Sequence, residues 1–426
     1  MTPSDIALIV TMFGLLILGV PFAFAIGIAV LAGLWAANID PVVLAQQLVA
    51  GMNSFPLLAV PGFILAGDLM HTGGLSRRLV NIAMVLVGRV RGGLAMVAIL
   101  SATFFGAISG SAPATTAAIG KLMVPEMVRR GYPLPFSAAL AAAYGPIGIL
   151  IPPSIPLVIW GVIANESITN LFIAGIVPGI LVCVALMIAS FIYARRHNIP
   201  VETTRASGRD LVKALSDGKW ALLASVVVLG GIYGGIFTPT EASAVAVVYG
   251  LVIGIFVHRE MTFAELPGII VRSMSTTAMV VYIVGVSVGF GWVIGLDGLP
   301  QRVGAWVLGL SVDPILILLA VNVLLLIVGT FMDTVAAMII LAALLIHVGQ
   351  AIGVDPIHYG TVIVMNLGIG MATPPFGYTL FTASAITGLV VDRIIPPLLG
   401  LILVEVIALL IVTYVPSAAT ILLHVF

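Results

Sequence analysis

One carboxylate, Asp333, stands between two long apolar runs, in the segment 329–334 (GTFMDT). A charged side chain at mid-membrane depth costs about 2.5–3.5 kcal/mol on insertion scales, so such a residue is by default a functional-site hypothesis. No basic residue lies near it in the sequence. A bound cation is therefore the natural partner of Asp333, and a protonated carboxyl or a pair with another helix is the alternative.

Small, hydroxylated and helix-breaking residues gather at three more points in apolar sequence: 104–116 (FFGAISGSAPATT), 144–154 (YGPIGILIPPS) and 366–375 (NLGIGMATPP). Irregular backbone at membrane depth survives only against protein or a water-filled cavity. Segments 104–116 and 329–334 suit the tips of re-entrant helical hairpins, and the other two suit unwound helices. Hydroxyls and unwound carbonyls suit Na⁺, and half-helix N-termini suit a carboxylate. For any single segment, close helix packing is the alternative.

The elements that must position these groups are membrane helices. The 426 residues are 61% hydrophobic and 8% charged, whereas soluble domains are about 25% charged. Apolar runs long enough to cross a bilayer recur without the alternation of a barrel wall, which predicts an all-α polytopic membrane protein. The predicted spans or half-spans are 6–36 (broken at Pro21), 48–70, 93–108, 112–128, 136–163, 168–194, 219–238, 240–257, 273–296, 312–331, 333–350, 358–389 and 393–415.

The charge balance excludes other classes of function. The 17 basic and 17 acidic residues cancel, so no nucleic-acid partner is expected. The single cysteine, Cys183, permits neither an internal disulfide nor a thiolate metal site. No nucleophile–base pair or metal cluster is visible, so no enzyme and no catalytic residues are expected.

The two halves of the chain repeat each other at an offset near 223 residues. The matched landmarks are Gly74 with Gly298, Gly106 with Gly329, Pro133 with Pro356, and Pro152-Pro153 with Pro374-Pro375. Internal duplication is common in secondary transporters, whose substrate site lies between the repeats. An odd number of crossings between the halves would make the repeat inverted, which hydropathy alone does not decide.

The repeat predicts three parts of the chain. An N-terminal repeat, 1–194, contains a hairpin at about 95–128 and a broken helix at about 136–163. A polar connection, 195–219, carries six basic residues and is expected in the cytoplasm by the positive-inside rule. Within it, 197–208 is predicted as a solvated loop and 209–219 as a short interfacial helix. A C-terminal repeat, 220–426, contains a hairpin at about 312–350 and a broken helix at about 358–389.

Three other acidic residues lie in or beside apolar segments. Asp68 and Glu241 are close to predicted helix ends, so an ion pair within the scaffold is expected for each rather than a ligand role. Glu166 is expected to begin a helix beside the membrane surface.

Five segments together resemble the large membrane subunit, of DctM type, of tripartite ATP-independent periplasmic (TRAP) transporters. They are 54–61 (SFPLLAVP), 110–115 (GSAPAT), 148–156 (GILIPPSIP), 237–242 (FTPTEA) and 372–375 (ATPP). The resemblance implies a Na⁺-driven transporter of the bacterial inner membrane with an elevator-type scaffold and a mobile transport domain. It implies import of an organic acid such as a C4-dicarboxylate or sialic acid.

The resemblance also implies partners. They are a small four-helix membrane subunit (Q type), expected as a separate chain, a periplasmic substrate-binding protein (P type) and membrane lipid. The alternatives are an ion-coupled organic-anion transporter without a binding protein, and a passive channel.

By position, the resemblance implies at least two Na⁺ sites and a substrate site between the hairpin tips. The first Na⁺ site is expected at Ser109, Ser111, Gly145 and Ile147. The second is expected at Thr330, Met332, Asp333, Thr334, Gly370, Met371 and Thr373. The substrate-binding residues are expected to be Ser109, Gly110, Ser111, Pro152, Pro153, Thr373 and Pro374.

Overall fold

The computed structural model describes residues 2–20, 22–200, 208–296, 298, 302, 305, 309 and 313–425, and the regular structure in these ranges is entirely helical. The first half contains α1 Pro3–Ile17, α2 Phe22–Ala36, α3 Val42–Met52, α4 Ala59–Thr72, α5 Leu75–Val87, α6 Gly93–Ser109, α7 Ala112–Arg129, α8 Leu134–Tyr144, α9 Ile147–Leu150, α10 Ile155–Ala164 and α11 Ile168–Arg196. The second half contains α12 Gly208–Tyr233, α13 Pro239–Val252, α14 Leu266–Leu296, α15 Pro314–Phe331, α16 Thr334–Ile352, α17 Pro356–Ala372, α18 Tyr378–Thr387, α19 Val391–Tyr414 and α20 Ser417–Thr420. The predicted all-α fold is confirmed.

By length and composition, eight helices of the described chain can cross a membrane, or nine if the bent unit of α8, α9 and α10 is one span. Long apolar side chains such as Trp35 and Phe24 remain exposed on the outside of the bundle. Because lipid rather than water tolerates such a surface, the chain is a multi-pass membrane protein.

The first predicted hairpin consists of α6 and α7, joined by Gly110 and Ser111. Gly110 has a φ of 60°, a left-handed conformation that glycine adopts without a Cβ clash. Ser111 begins α7, and its Oγ accepts a hydrogen bond from the Ala114 N–H at 3.5 Å. The turn between the two helices is therefore two residues long.

The second predicted hairpin consists of α15 and α16, joined by Met332 and Asp333. Asp333 caps α16, since its Oδ2 accepts a hydrogen bond from the Val335 N–H at 2.9 Å. At the far end of α16, Gly349 packs against the ring of Tyr359 near the start of α17. The arm α16 therefore returns along α17 from the tip.

The two hairpins enter the bundle from opposite ends. We define the basic end as the end of α11 that carries Arg195 and Arg196. Gly92, at the start of α6, packs against Ser190 and Ala194 near this end. The first hairpin therefore opens at the basic end.

The open end of the second hairpin lies where α11 begins. Glu166 immediately precedes the N-cap of α11. Burial raises the pKa of Glu166, and the nearby Asp355 carboxylate raises it further. Asp355 caps α17 directly after the second hairpin. Since α11 runs from this end to the basic end, the two hairpins are inverted relative to each other, as expected of an inverted repeat.

Each hairpin crosses a partner helix at a pair of glycines. A Cβ on Gly106 of α6 would lie 2.8 Å from the Cα of Gly148. A Cβ on Gly370 of α17 would lie 2.6 Å from the Cα of Gly329 in α15. The two crossings are related by the offset found in the sequence, so the repeat has an equivalent contact in three dimensions.

The break predicted at 366–375 begins later than expected. Asn366 and Gly370 remain helical in α17, which ends at Ala372. No proline occurs between Pro356, at the start of the helix, and Pro374, so the N–H groups between them can complete the helix. In the first half Pro146 interrupts the chain earlier, after α8 ends at Tyr144.

Three smaller predictions are wrong. Residues 208–219 form the start of the continuous helix α12 rather than a separate interfacial helix. Asp68 accepts a hydrogen bond from the Ser273 hydroxyl at 2.5 Å instead of pairing with a cation. Glu241 accepts the Thr238 N–H at 2.8 Å in a capping box, so its carboxylate is also used locally. Of the loop predicted at 197–208, residues 201–207 lie outside the described residues.

A buried polar network fastens the second hairpin to two neighbouring helices. The Asn366 amide donates to Asn322 Oδ1 at 2.7 Å, and the Asn322 amide donates to Thr413 Oγ1 at 3.1 Å. The Thr413 hydroxyl donates in turn to the Leu409 carbonyl at 2.8 Å. Asn322 therefore connects α15 with α17 and α19 inside the bundle.

Replacing Asn322 with leucine is expected to lower the free energy of unfolding by about 1–2 kcal/mol, because Asn366 keeps only the backbone carbonyl of residue 322 as an acceptor and Thr413 loses its donor. The measurement is unfolding of the purified protein in detergent. Ser275→Ala is the matched control, since the exposed Ser275 bonds only the Val271 carbonyl of its own helix. Equal stability of the two variants would contradict the role of Asn322.

Candidate functional site

The two hairpin tips meet at one cavity of about 1620 Å³. The tip of the first hairpin contributes Ser109, Gly110 and Ser111, and the tip of the second contributes 332–334. Helices α1, α4 and α14 form the facing wall. A space of this size between repeats is where secondary transporters place their substrates.

Hydroxyl groups dominate the first tip. Ser109 Oγ lies 3.1 Å from Thr115 Oγ1. Directly behind it, the Thr116 hydroxyl is buried against Gly145 and has no hydrogen-bond partner among the described residues. Hard oxygen atoms such as these suit a cation like Na⁺. Thr115 and Thr116 were not among the predicted ligands.

The second tip carries the carboxylate. Asp333 is exposed on the cavity wall, while Thr334 beside it is buried. The Thr334 hydroxyl donates to the Met371 sulfur at 2.8 Å, which connects the tip to the end of α17. Thr379 in α18 then donates to the carbonyls of Met371 and Ala142, each at 3.0 Å, and so links the two halves.

Helix ends of both signs point at the cavity. The helices α7 and α16 begin at its wall, at Ala112 and Thr334, and α6 and α15 end there, at Ser109 and Phe331. N-terminal N–H groups carry partial positive charge and C-terminal carbonyls partial negative charge. The tips therefore present donors to an anion and acceptors to a cation within one space.

The predicted site residues fall into two groups. Those on the cavity wall are Ser109, Gly110, Ser111, Met332, Asp333, Thr334 and Met371. Those outside the set that lines the cavity are Gly145, Ile147, Pro152, Pro153, Thr330, Gly370, Thr373 and Pro374. The hydroxyls of Thr330 and Thr373 donate to carbonyls of their own helices, at Ile327 and Ile369. Ligand roles for all of these residues stay predictions.

Charged or ionisable residues on the cavity wall were missed or assigned elsewhere by sequence reasoning. They are Asp68, His71, Lys121, Glu265 and Arg272. Lys121 is a basic residue within an otherwise uncharged stretch of the first hairpin, and that contrast is the signal that could have identified it. Arg272 is the seventh residue of α14 and lies within its first two turns, where a position at the membrane interface would equally explain a basic residue.

The sequence matches, over residues 9–418, the family described as "Tripartite ATP-independent periplasmic transporter, DctM component". The isethionate TRAP transporter permease DctMQ of Oleidesulfovibrio alaskensis is 46% identical over 403 residues, which are 94% of this chain and 64% of that protein. This chain thus spans less than two thirds of that relative. The C4-dicarboxylate TRAP transporter large permease DctM of Pseudomonas aeruginosa is 42% identical over 376 residues, 88% of each chain.

The fold is also similar to a solved transporter structure. The YdaH transporter of Alcanivorax borkumensis superposes with a TM-score of 0.64 over 90% of this chain and 87% of its own. Its sequence identity of 15% is low, so the similarity concerns the fold alone.

Proposed function

Because this chain belongs to the DctM family of tripartite ATP-independent periplasmic transporters, we propose that it is the large membrane subunit of a Na⁺-coupled importer of organic acids. The observation that carries the proposal is the meeting of both hairpin tips, with Asp333 exposed between them, at one cavity. Import is then the alternate opening of that cavity to the two sides of the bacterial inner membrane.

Helix polarity supports an anionic substrate. The starts of α7 and α16 offer N–H groups to an acid group of the substrate at the cavity. The relatives named for isethionate and C4-dicarboxylate act on a sulfonate and on carboxylates. These groups are all small oxyanions, so the substrate class is an organic acid.

Na⁺ enters as a second substrate. At the first tip, Ser109, Thr115 and Thr116 supply hydroxyl oxygens for one ion. At the second tip, Asp333 and Thr334 supply a carboxylate and a hydroxyl for another. Binding both ions offsets the charge of the acid, which lowers the cost of carrying it through the membrane.

The inverted hairpins support an elevator motion. The hairpins and broken helices form the moving unit, and α1, α4 and α14 belong to the scaffold on the other side of the cavity. Since one hairpin opens at each end of the bundle, each tip can close the cavity from its own side. Family membership further supports a small four-helix membrane subunit and a periplasmic substrate-binding protein as partners.

Reconstitution by components tests this function. Proteoliposomes would contain this chain and its small subunit, and isethionate, succinate or sialic acid would be offered with the matching binding protein. Uptake of at least one acid that stops when either partner is omitted is expected. Undiminished uptake without the binding protein would instead indicate an anion transporter that works alone.

A further inference from the structure

We call the part of the cavity wall between the tip of the first hairpin and the basic end of the bundle the mouth of the cavity. In the first half of α12, Gly218 packs against Ile82 of α5, and Gly88 after α5 packs against Gly93 at the start of α6, which lies at the basic end. Tyr249 near the end of α13 donates its hydroxyl to the Trp220 carbonyl of α12 at 2.6 Å. The helix α13 therefore returns to the basic end, and α14 starts from it. Five charged or ionisable side chains line this part of the cavity, namely Asp68, His71, Lys121, Glu265 and Arg272.

The two acidic side chains at the mouth are engaged by neighbours in their own wall. Asp68 Oδ2 accepts the hydroxyl of Ser273 at 2.5 Å. Glu265 Oε2 accepts the N–H of Thr262 at 2.7 Å and its hydroxyl at 2.9 Å. The Asp68 carboxylate therefore connects α4 with α14, and the Glu265 carboxylate is used locally just before α14 begins.

The ionisable ring at the mouth is also held in place. Nδ1 of His71 lies 3.0 Å from the Ser76 hydroxyl. The ring packs edge-on against Phe105 of the first hairpin, with 5.9 Å between ring centroids. His71 thus marks the contact between the scaffold and the hairpin.

The two basic side chains differ from these three. Within the described residues, no carboxylate oxygen lies within 4.0 Å of either Lys121 or Arg272. Both residues are exposed on the cavity wall, and both are close enough to His71 to act on it electrostatically. The uncommitted hydrogen-bond donors at the mouth therefore belong to two cations.

We propose that Lys121 and Arg272 bind the acid group of the transported anion at the mouth of the cavity that faces the cytoplasm. An ammonium and a guanidinium form short, charge-assisted hydrogen bonds with oxyanions. This inference rests on the proposed function, since it assigns a second binding site to the same substrate. Lys121 belongs to the hairpin and Arg272 to α14, so an anion held by both bridges the moving unit and the scaffold.

Counterflow measures binding of the acid at Lys121 and Arg272 from the cytoplasmic side. Vesicles with the complete complex would be loaded with the acid, and the internal concentration that gives half-maximal exchange would be measured. Lys121→Gln and Arg272→Gln are each expected to raise it about tenfold, the effect of losing one hydrogen bond from a charged donor. The Na⁺ concentration for half-maximal uptake stays unchanged, and Lys121→Arg restores the wild-type value.

Arg129→Gln is the matched control. Arg129 lies on the same helix as Lys121 but pairs with Glu126 at 2.7 Å, away from the cavity. Its half-saturating concentration is expected to match that of the wild type.

A chemical probe tests the same cations without transport. Thr276, exposed on the cavity wall one turn from Arg272, would be replaced by cysteine in a chain that also carries Cys183→Ala. The purified protein would react with a sulfonate-bearing and a trimethylammonium-bearing methanethiosulfonate. Neutralising Lys121 or Arg272 is expected to lower the ratio of the sulfonate rate to the trimethylammonium rate about fivefold. The positive potential of each side chain attracts the anionic reagent and repels the cationic one, so its loss slows the first reaction and speeds the second.

The outcomes separate the two proposals. Wild-type proteoliposomes that take up no organic acid under an inward Na⁺ gradient would overturn the proposed function. The binding site at Lys121 and Arg272 would be overturned by an unchanged rate ratio. It would also be overturned if the internal concentration for half-maximal exchange stayed within twofold of the wild type in both glutamine variants. A variant that fails to fold is identified by gel filtration, and Lys121→Arg and Arg272→Lys then test the charge with the size of the side chain nearly kept.

Discussion

Asp333→Asn is expected to raise the Na⁺ concentration for half-maximal uptake about 10- to 100-fold. Losing an interaction with a charged group costs about 1.5–3 kcal/mol, and each factor of ten in affinity corresponds to about 1.4 kcal/mol. The fold is preserved, because an asparagine oxygen can still accept the Val335 N–H and cap α16. The measurement is the Na⁺ dependence of uptake in proteoliposomes.

The chain offers a matched control for this change. Asp313 caps α15 in the same manner, accepting the Ile315 N–H at 2.9 Å, but it does not line the cavity. Asp313→Asn is expected to leave the Na⁺ dependence unchanged. An Asp333→Asn protein with wild-type Na⁺ dependence would show that the second ion site is misplaced.

Gly370→Ala is expected to abolish transport and to lower the free energy of unfolding by about 1–3 kcal/mol, the usual cost of overpacking. The new Cβ would lie 2.6 Å from the Cα of Gly329, and backbone at this crossing cannot turn aside as a side chain can. The hairpin must then move away from α17, which separates Thr334 from Met371. Gly106→Ala is expected to have the same effect at the equivalent crossing of the first repeat.

A glycine elsewhere in the bundle isolates this steric cause. A Cβ on Gly400 in α19 would meet nothing within 4 Å. Because alanine is a better helix former than glycine by about 0.5–1 kcal/mol, Gly400→Ala is expected to be as stable as the wild type or slightly more so. Transport by Gly370→Ala at the wild-type rate would contradict the close crossing.

The positions of the two hairpin tips could be predicted from the sequence because local chemistry determines them. A helix in an apolar segment ends where glycine adopts a left-handed conformation, as at Gly110, or where a capping side chain begins the next helix, as at Asp333. Both signals lie within a few residues of the break. The same reasoning identified the repeat through prolines and glycines at equal spacing.

The late break in α17 was not predictable from its composition. Glycine in a membrane helix serves unwinding and close packing equally, and at Gly370 the deciding factor is the neighbouring Gly329. Asn366 likewise remains helical while its amide bonds Asn322, 44 residues earlier. Such contacts between distant segments have no local signature.

The shared position of the two basic residues on the cavity wall was likewise not predictable from local sequence. Lys121 and Arg272 lie on helices 151 residues apart in the sequence, and only the fold places both on one wall. From the sequence, Asp68 was expected to pair with a cation, whereas the nearest partner is a hydroxyl on a helix that packs against it. Long-range pairing thus determined which charges remain available to a substrate.

The most direct test of the account is accumulation of an organic acid driven by Na⁺ alone. Proteoliposomes containing this chain and its small subunit, with the loaded binding protein outside, would be given an inward Na⁺ gradient with no other gradient. The account predicts that the acid accumulates above its external concentration and that accumulation stops when K⁺ replaces Na⁺. Equal accumulation in K⁺ would contradict it.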